Sequence, residues 1–427
     1  MMGNRARRAR CGAVVALAAL LCLAAPPVSA GGITRPNTNG ARAVGLAGAY
    51  TAVADDALSI FHNPAGLGRM KNADLVLSAE LVFVMRSYTP PGRPTEKAAV
   101  SPLPLPFVAG GARIQVGENS FLAMGAGIYN AGGGSVSFDK NKVTEGVITS
   151  LIALFEFTPT LAYQVHRRVF IGASLRMGLG AFSAFQACSE LVQCAHDPPG
   201  DPVFETRVSP MFAMGFGYAL GIQVLPTDWL GIGVTYKSNL KVKFSKKNAV
   251  DSGGLKFDAS VEIPFPQSVS FGVFVRPSKR VLVAAQFDWV DNSQLREIFI
   301  DVDGWVYGRA AIATDLYMKD SFAAHLGTEI TVNKLLVLRG GMAYDSQSIP
   351  DKYTTRGLSD GHKLTWNLGA TLRFGRWRLD LAAELAMADV SQGFKSVTYP
   401  SGEGYAAPGI HHPGGTFSFH LGGGVAW

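Results

Sequence analysis

Apolar side chains alternate with small or polar ones along most of the chain. In residues 377–386 one face carries Trp377, Leu379, Leu381, Ala383 and Leu385, and the other carries Arg378, Asp380, Ala382, Glu384 and Ala386. Successive side chains of a β-strand point to opposite faces, and a membrane-spanning strand of about ten residues turns its apolar face to lipid. Residues 229–238, 280–290 and 362–374 repeat the pattern. The alternation therefore predicts transmembrane β-strands.

Residues 229–238 illustrate how the alternation assigns individual side chains. The apolar face carries Leu230, Ile232, Val234 and Tyr236, and the opposite face carries Trp229, Gly231, Gly233, Thr235 and Lys237. In a closed barrel the second set faces the lumen.

The connections between these segments alternate in length. Short turns fall at 117–119, 166–168, 226–228, 277–279, 332–334 and 375–376, and long connections fall near 89–104, 131–149, 185–208, 245–260, 291–317, 346–361 and 389–415. These connections separate fourteen strands, an even number, as in single-chain outer-membrane barrels. We predict an all-β fold: a 14-stranded antiparallel transmembrane β-barrel over residues 73–427, with both ends on the periplasmic side. A soluble sandwich is the alternative, but its strands would not turn apolar faces outward and end on Trp427.

Residues 31–72 lack the alternation. They are rich in Gly, Ala and Asn, and the helix-compatible part from Ala41 to Leu58 has no lipid-facing stripe. Fourteen strands enclose more lumen than the wall side chains can fill. We therefore expect residues 31–72 to form an N-terminal plug, or hatch, inside the barrel.

Residues 1–30 have the organisation of a secretory signal peptide. Four basic residues, Arg5, Arg7, Arg8 and Arg10, precede the apolar stretch 12–25, and Val28-Ser29-Ala30 forms a small-residue cleavage site. Cleavage after Ala30 leaves 35 basic against 32 acidic residues. Most of the formal charge of +7 thus belongs to the signal, and nucleic acid is not an expected partner.

The composition agrees with an exported barrel. Hydrophobic residues make up 48% of the chain, yet no run of 18 apolar residues follows residue 30, which excludes membrane-spanning helices. The 49 glycines, 25 phenylalanines and 6 tryptophans suit strands with aromatic girdles. We expect a monomer in the cell outer membrane, in contact with its lipid, whose terminal Trp427 is recognised by the barrel-assembly machinery.

Several motifs resemble the FadL-type outer-membrane transporters of hydrophobic compounds and long-chain fatty acids, a family that includes TodX-like aromatic hydrocarbon channels. The hatch-like motifs are GLAGAY at 45–50, ADDA at 54–57 and HNPAGL at 62–67, and the barrel motifs lie at 215–221, 233–238, 339–345 and 349–351. The resemblance extends over the whole mature chain.

The resemblance implies passive uptake of hydrophobic molecules. Their class is either long-chain fatty acids and related lipids, or aromatic and aliphatic hydrocarbons. It further implies capture at extracellular loops, passage through an apolar pocket, and sideways release into the membrane through a kink in the third strand. Here that strand runs into Gly132-Gly133-Gly134, where a strand can bulge and lose pairing. The start of a flexible loop is the alternative interpretation.

Two groups of residues in the hatch are functional candidates. Asn63-Pro64-Ala65 combines turn-forming residues, and a gating role is the functional hypothesis for this turn. The apolar side chains of the hatch either line a ligand pocket or anchor the hatch to the wall. They are Leu46, Tyr50, Phe61 and Leu67.

A ligand carboxylate would need a cation in the lumen. Strand parity assigns Lys319 to the inner face of 318–330 and Arg176 to the inner face of 169–182. Each is either a ligand contact or a wall charge paired with an acid. The family's fatty-acid carriers have a basic residue in the upper part of the fifth strand, whereas 178–185 carries no charge here. Both substrate classes therefore stay open.

Other functional classes have less support from the sequence. No metal-ligand spacing, phosphate loop or nucleophile motif appears, so we expect no cofactor, no metal and no enzyme activity. An outer-membrane lipid-hydrolysing barrel would need an outward Ser near a His, whereas Ser418 and His420 face inward by parity. A purely structural or adhesive barrel would not need an internal hatch.

We predict a disulfide between Cys188 and Cys194, the two cysteines that remain after signal cleavage. A close pair outside the cytoplasm is expected to be bridged, and closing so short a loop contributes roughly 2 kcal/mol in the chain-entropy model. Two free thiols are the alternative. Thiol labelling of the denatured, unreduced protein should modify neither cysteine; labelling of both before reduction would contradict the bridge.

Overall fold

The computed structural model describes residues 39–89, 94–98, 103–117, 120–138, 146–187, 205–252, 254–303, 311–350, 353, 358, 360–389 and 410–427. The signal peptide and the pair Cys188 and Cys194 lie outside the described residues. Their processing and bridging, and the division of the chain at residues 30 and 72, stay predictions.

Nineteen strands occur in the described part of the chain, and we number them in chain order. They are β1 (Ala73–Thr89), β2 (Glu96–Lys97), β3 (Leu103–Gly117), β4 (Ser120–Ser137), β5 (Gly146–His166), β6 (Val169–Ala187), β7 (Glu205–Thr227), β8 (Leu230–Lys237), β9 (Leu240–Ser252), β10 (Leu255–Phe265), β11 (Ser268–Ser278), β12 (Val281–Val290), β13 (Glu297–Asp303), β14 (Ala311–Asp315), β15 (Ser321–Thr331), β16 (Leu336–Asp345), β17 (His362–Phe374), β18 (Trp377–Asp389) and β19 (Ile410–Ala426).

Fourteen of these strands close into one antiparallel barrel. Around the ring the order is β1, β3, β4, β5, β6, β7, β8, β11, β12, β15, β16, β17, β18 and β19. Pairing of β1 with β19, from Asp74 opposite Ala426 upward, completes the ring. Closure removes the free strand edges that lipid cannot satisfy. The predicted 14-stranded antiparallel barrel is confirmed.

The two faces of the wall follow the predicted alternation. In β18 the exposed side chains are Trp377, Leu379, Leu381 and Leu385, and the buried ones are Asp380, Ala382 and Ala386. The prediction that Trp229 faces the lumen is wrong, because its side chain is 55% exposed. It lies in the turn before β8, where strand parity does not apply.

Several of the predicted long loops contain strand, and the clearest cases are 131–149, 245–260 and 291–317. β4 continues to Ser137 and β5 begins at Gly146, so most of 131–149 is paired. Residues 245–260 belong to a hairpin of β9 and β10, and 291–317 contain β13 and β14. Lysines on the exposed face of β9 and acids on that of β13 made these segments look like polar loops.

β9, β10, β13 and β14 form a small sheet at the long-loop end of the barrel. β9 pairs with the first residues of β7 and with β10, β10 pairs with β13, and β13 pairs with β14. One face is buried and apolar. It carries Leu240, Val242, Phe244, Val261, Ile263, Phe265, Ile298 and Ile300. This face covers the lumen, while Lys241, Lys243 and Glu262 lie on the exposed face.

Within the described residues, helical structure is confined to short segments. The α-helical turns are Ala41–Val44 and Ser59–His62, and the 3-10 turns are Pro64–Arg69 and Asn292–Gln294. The helix-compatible pattern of 41–58 is thus realised only in its first turn, because φ is positive at Ala47 and Gly48. Among the described residues, no helix has the length and hydropathy needed to cross a membrane.

Candidate functional site in the barrel lumen

Residues 39–70, which we call the inner segment, are almost completely buried although they contain little regular structure. Leu46, Tyr50 and Leu67 have no exposed surface, and Phe61 is 5% exposed. The segment contacts inward-facing residues of strands on all sides of the ring, including β6, β7, β8, β15 and β17. The inner segment therefore packs against the inward-facing side of the wall, and its function as a hatch stays a prediction.

Glycines on the inner face of the wall let the backbone of the inner segment approach closely. A Cβ atom added to Gly233 would lie 2.5 Å from the carbonyl oxygen of Thr51. One added to Gly172 would collide with Pro64, and one added to Gly221 would collide with the Asn63 amide. Main chain thus packs against main chain at Gly172 and Gly233, whereas the side chains of Asn63 and Pro64 fill the space at Gly221.

A buried histidine of β15 binds the tight turn of the inner segment. His325 Nδ1 lies 2.6 Å from the carbonyl oxygen of Ala47, and Nε2 lies 3.0 Å from the Asp288 carboxylate. Both partners are hydrogen-bond acceptors. The left-handed turn at Ala47 and Gly48 is thereby fixed to the wall.

The neighbouring strand, β12, binds the next residues of the inner segment. Gln286 Oε1 accepts hydrogen bonds from the backbone amides of Tyr50 and Thr51, at 3.0 and 2.8 Å. Its Nε2 donates to Asp288 at 2.8 Å. Gln286, Asp288 and the histidine of β15 thus form one continuous clamp on residues 47–51.

Asn63 caps the 3-10 turn that follows it. Its Oδ1 accepts the amide of Ala65 at 3.1 Å, and its Nδ2 donates to the carbonyls of Thr51 and Ile222 at 3.0 and 3.2 Å. Pro64 is the first residue of the turn, a position where its missing amide costs nothing. The predicted turn function of 63–65 thus has a geometric basis, and the gating role stays a prediction.

A charge cluster joins the inner segment to β15. Arg42 Nη1 contacts Asp55 at 2.6 Å and Asp56 at 2.9 Å, and its Nε lies 3.7 Å from Glu329. Burial raises the pKa of the Asp55 carboxyl, but the guanidinium groups of Arg42 and Arg69 outweigh it and lower the pKa to about 2. Removing one partner would leave a buried charge unpaired, which is strongly destabilising.

A group of apolar side chains lies in the lumen beside β3 to β7. Phe61 of the inner segment packs edge to face on Tyr129, with ring centroids 5.1 Å apart, and Tyr129 stacks on Phe107 at 5.6 Å. The same cluster continues into the buried face of β9. Its further members include Ile152, Leu154, Phe182, Leu240, Val242 and Phe244. We call these residues beside β3 to β7 the apolar cluster. All four hatch side chains predicted to line a pocket are continuous with it, and Phe61 is the one whose ring packs on Tyr129.

Of the two predicted cations, Arg176 is buried and fully engaged. Its Nη2 and Nε contact the Glu156 carboxylate at 2.5 and 3.0 Å, and its Nη1 donates to the carbonyl of Ser238 at 2.6 Å. Parity assigned it correctly to the lumen face, where its charge is neutralised.

Lys319 lies just before β15 and is exposed. Its backbone amide donates to the carbonyl of Ser348 at 2.8 Å. The parity of 318–330 does not apply to it, because the strand begins at Ser321. Its contact with a ligand stays a prediction.

The sequence reasoning did not single out Lys237, although parity assigned it to the lumen face. Its ammonium lies 3.7 Å above the ring of Phe61, next to the apolar cluster. Within the described part of the chain no carboxylate lies within ion-pair distance of it. A cation held over an aromatic face in an apolar lumen is suited to an anionic head group.

The wall is interrupted between β3 and β4. Their pairing ends at Phe107 and Tyr129, although both strands continue beyond this point. At the same level the register between β4 and β5 shifts between Asn130 and Gly132, as in a β-bulge. The apolar cluster therefore lies against the part of β4 that has lost its β3 partner.

The glycine cluster 132–134 lies inside β4, immediately after this bulge. Gly133 has φ of +109°, and a Cβ there would collide with the carbonyl of Ile152, whereas a Cβ on Gly134 would meet nothing within 4 Å. Asn39, at the start of the inner segment, donates to the carbonyl of Asn130 at 2.9 Å. The inner segment thus bonds to the break itself, and the predicted kink function of the glycines stays a prediction.

Ser418 and His420 are inward-facing and buried, as parity indicated. Ser418 Oγ lies 2.9 Å from His420 Nε2, and the Glu80 carboxylate lies 3.4 Å from the same nitrogen. A catalytic triad needs the carboxylate on the other ring nitrogen, and His420 Nδ1 has no hydrogen-bond partner. This geometry gives no support to a hydrolase. Among the described residues, no cluster of His, Cys, Asp and Glu could hold a metal ion.

Comparison with protein families finds one match over most of the chain. Residues 21–398 match the model of the outer membrane protein transport protein family (OMPP1/FadL/TodX). A curated relative, outer membrane protein P1 of Haemophilus influenzae, is 23% identical over 168 residues, which is 38% of this chain. That match spans about a third, 35%, of the relative's length.

Solved structures share the fold. A FadL homologue of Pseudomonas aeruginosa superposes with a TM-score of 0.72 at 16% identity, over 94% of this chain and 99% of that one. The toluene transporter TodX of P. putida gives 0.68 at 16% identity, over 93% and 99%. The toluene transporter TbuX of Ralstonia pickettii gives 0.66 at 17%, over 92% and 99%. At these sequence identities the similarity shows a shared fold and nothing more.

We predict that Gly221→Ala displaces the inner segment, because the added Cβ would collide with Asn63 and with the ring of Pro64. The barrel should still fold, since the outer face is unchanged, but small polar solutes should leak through the lumen. Single-channel conductance in planar bilayers measures this. Gly423→Ala is the matched control, because the nearest atom to its Cβ lies 3.6 Å away; equal conductance of the two variants would contradict the prediction.

Proposed function

This chain belongs to the outer membrane protein transport family (OMPP1/FadL/TodX), and from that premise we propose that it carries hydrophobic molecules passively across the outer membrane. The observation that carries the proposal is the continuity of the apolar cluster with the break between β3 and β4. An apolar solute in such a path stays out of water, which favours it by roughly 0.8 kcal/mol per CH₂ group.

The inner segment supports sideways rather than straight passage. It is held to the wall by the clamp on residues 47–51 and by the charge cluster of Arg42, so the axis of the barrel is filled. The apolar cluster, in contrast, lies on one side of the lumen, next to the unpaired part of β4. Lateral release through this break is therefore part of the proposal.

For the substrate we propose an amphiphile with an extended apolar chain and a carboxylate, as in long-chain fatty acids. Lys237 would bind the carboxylate, because it is the cation at the edge of the apolar cluster and carries no ion pair within the described residues. Arg176 is already neutralised by Glu156. Its function in this scheme is to hold the carbonyl of Ser238, the residue next to Lys237.

A neutral aromatic hydrocarbon is the second candidate substrate. The stacked rings of Phe107 and Tyr129, with Phe61 edge to face on Tyr129, would suit a flat aromatic ligand. In this case the lysine would contribute through its contact with Phe61 alone. Two of the solved structures with this fold are described as toluene transporters.

We predict that Lys237→Gln separates the two substrate classes. The change removes the charge but keeps most of the side-chain length, so binding of a long-chain fatty acid should weaken by on the order of 1–2 kcal/mol, about tenfold in Kd. Binding of the fatty alcohol of equal length, or of toluene, should be unchanged. Calorimetric titration in detergent measures both.

Two lysine variants serve as controls for this experiment. Lys243→Gln, on the exposed face of β9, should leave both ligands unaffected. Lys319→Gln tests the cation named from the sequence: if it weakens fatty-acid binding and Lys237→Gln does not, the head group lies at Lys319 instead. Equal loss for acid and alcohol in Lys237→Gln would point to a packing effect and contradict the carboxylate contact.

We predict that replacing Gly132-Gly133-Gly134 by Val-Thr-Val lowers uptake in a folded barrel. The left-handed φ of Gly133 disfavours any residue with a Cβ, so β4 must rearrange toward regular pairing and close the break. Uptake of a labelled fatty acid by cells measures the effect, and heat-dependent gel mobility checks the fold. Gly134→Ala, whose Cβ meets nothing, is the control. Wild-type uptake by the triple variant would contradict lateral release through this break.

A further inference from the structure

A second interruption of the wall lies on the far side of β6 from the break between β3 and β4. β7 pairs with β6 from Glu205 to Val224. On its other edge, pairing with β8 ends at Ala219, and pairing with β9 includes only Thr206 to Val208. Among the described residues, 209–218 thus have no ladder partner on this edge. Pro210, which has no amide hydrogen, is typical of an unpaired strand edge.

β9 runs beside this edge but is displaced toward the lumen. A Cβ on Gly215 would lie 2.5 Å from the carbonyl oxygen of Lys241, and one on Gly180 would lie 2.8 Å from the Val242 side chain. Leu240, Val242 and Phe244 are fully buried. We call the contact between residues 210–217 of β7 and residues 240–244 of β9 the seam. It is closed by side chains and lacks ladder hydrogen bonds.

The lower end of the seam is fixed by hydrogen bonds. The Ser238 amide donates to the carbonyl of Tyr218 at 2.9 Å, and the Tyr218 amide donates to Ser238 Oγ at 2.8 Å. Arg176, held by Glu156, donates to the Ser238 carbonyl at 2.6 Å. The buried ion pair therefore fixes the point at which the chain leaves β8 and leans inward.

The upper end of the seam is fixed as well. Ser209 Oγ donates to the carbonyl of Ala249 at 3.0 Å, and Lys246 Nζ donates to the carbonyl of Pro210 at 3.0 Å. The seam is thus a slit between two tethered ends. The eight residues 210–217 of β7, at about 3.3 Å each, give it a length of roughly 26 Å, which is enough for one extended hydrocarbon chain.

Apolar side chains continue from the lipid face to the lumen through this slit. Phe212, Met214 and Phe216 line its outer edge and are 66%, 57% and 60% exposed. Its inner side is the buried row of β9, which belongs to the apolar cluster. Separating the two strands here would break side-chain contacts but no ladder hydrogen bonds. Elsewhere in a membrane-embedded wall, strand separation is costly because it breaks ladder hydrogen bonds that lipid cannot replace.

We propose that the seam is a second lateral portal, through which single-chain hydrophobes pass between the hydrocarbon of the membrane's outer half and the lumen. It differs from the break between β3 and β4, because β5 and β6 lie between the two. The inference rests on the proposed function, and it adds a membrane-facing entrance that leads to Phe61 and Lys237. A hydrophobic ligand that dissolves first in the outer leaflet could then enter the lumen without crossing water.

A disulfide across the seam tests the portal. The Cβ position of Gly217 lies 3.6 Å from Cβ of Leu240, within the range of about 3.5–4.5 Å that a disulfide spans. The variant Gly217→Cys with Leu240→Cys, in a background with Cys188→Ser and Cys194→Ser, would staple β9 to β7. Gly117→Cys with Ser120→Cys, at 3.5 Å in a periplasmic turn, is the matched control.

The first readout is uptake of palmitate from the outer leaflet of proteoliposomes. Oxidation should reduce uptake severalfold in the seam variant, and a reductant should restore it. Uptake by the turn variant should not change with either treatment. If the reduced seam variant transports and its oxidised form transports equally well, the portal is wrong while the proposed function stands. If the wild-type protein takes up no hydrophobe, the proposed function is wrong.

The second readout does not depend on transport. A diazirine-bearing fatty acid dissolved in the bilayer and activated by light should label the buried residues Leu240, Val242 and Phe244, and oxidation of the seam variant should lower that labelling severalfold, leaving only the label that arrives through the break between β3 and β4. Leu282, buried on the lumen face of the fully paired β12, is the internal control. Absence of label from 240–244, or equal label on Leu282, would overturn the portal.

Discussion

Lipid offers no hydrogen-bond partner to the backbone, and this constraint governs the architecture. Fourteen strands satisfy it by closing on themselves through β1 and β19. Because of the same constraint, the two places where the ladder is interrupted stand out as the weak points of the wall. They lie beside Tyr129 and between Gly217 and Leu240. Both interruptions lie on the side of the lumen where apolar residues are concentrated, so a loss of pairing and a change of lumen chemistry coincide.

The inside of the wall obeys a different requirement. A wide barrel leaves a space that side chains from the wall do not fill, and here the inner segment fills it with main chain as much as with side chains. Glycines such as Gly172, Gly233 and Gly327 are needed because the backbone of the segment touches theirs. The polar groups thus brought together find partners in Gln286 and His325, in keeping with the cost of burying unpaired polar atoms.

Alternation predicted the wall well because each strand is buried on one face and lies in lipid on the other. It identified the fourteen barrel strands, the lumen face of Arg176 and that of Lys237. It failed where its premise failed: Trp229 and Lys319 lie outside the strands, and the exposed lysines of β9 concealed a buried row of Leu240, Val242 and Phe244. Parity also cannot show which polar groups meet across the lumen. That pairing depends on the path of the inner segment, and this path cannot be predicted because the sequence of the segment has no regular alternation.

The position of the inner segment in the chain has a consequence for assembly. It precedes every barrel strand in the sequence, yet Val44 packs with Ala382, and Gly45 lies against Gly369. These partners are more than 300 residues away, and such distant contacts form slowly. Until β17 and β18 have joined the barrel, the wall that contacts Val44 and Gly45 is missing. The inner segment therefore reaches its final packing only when the last strands of the barrel are in place.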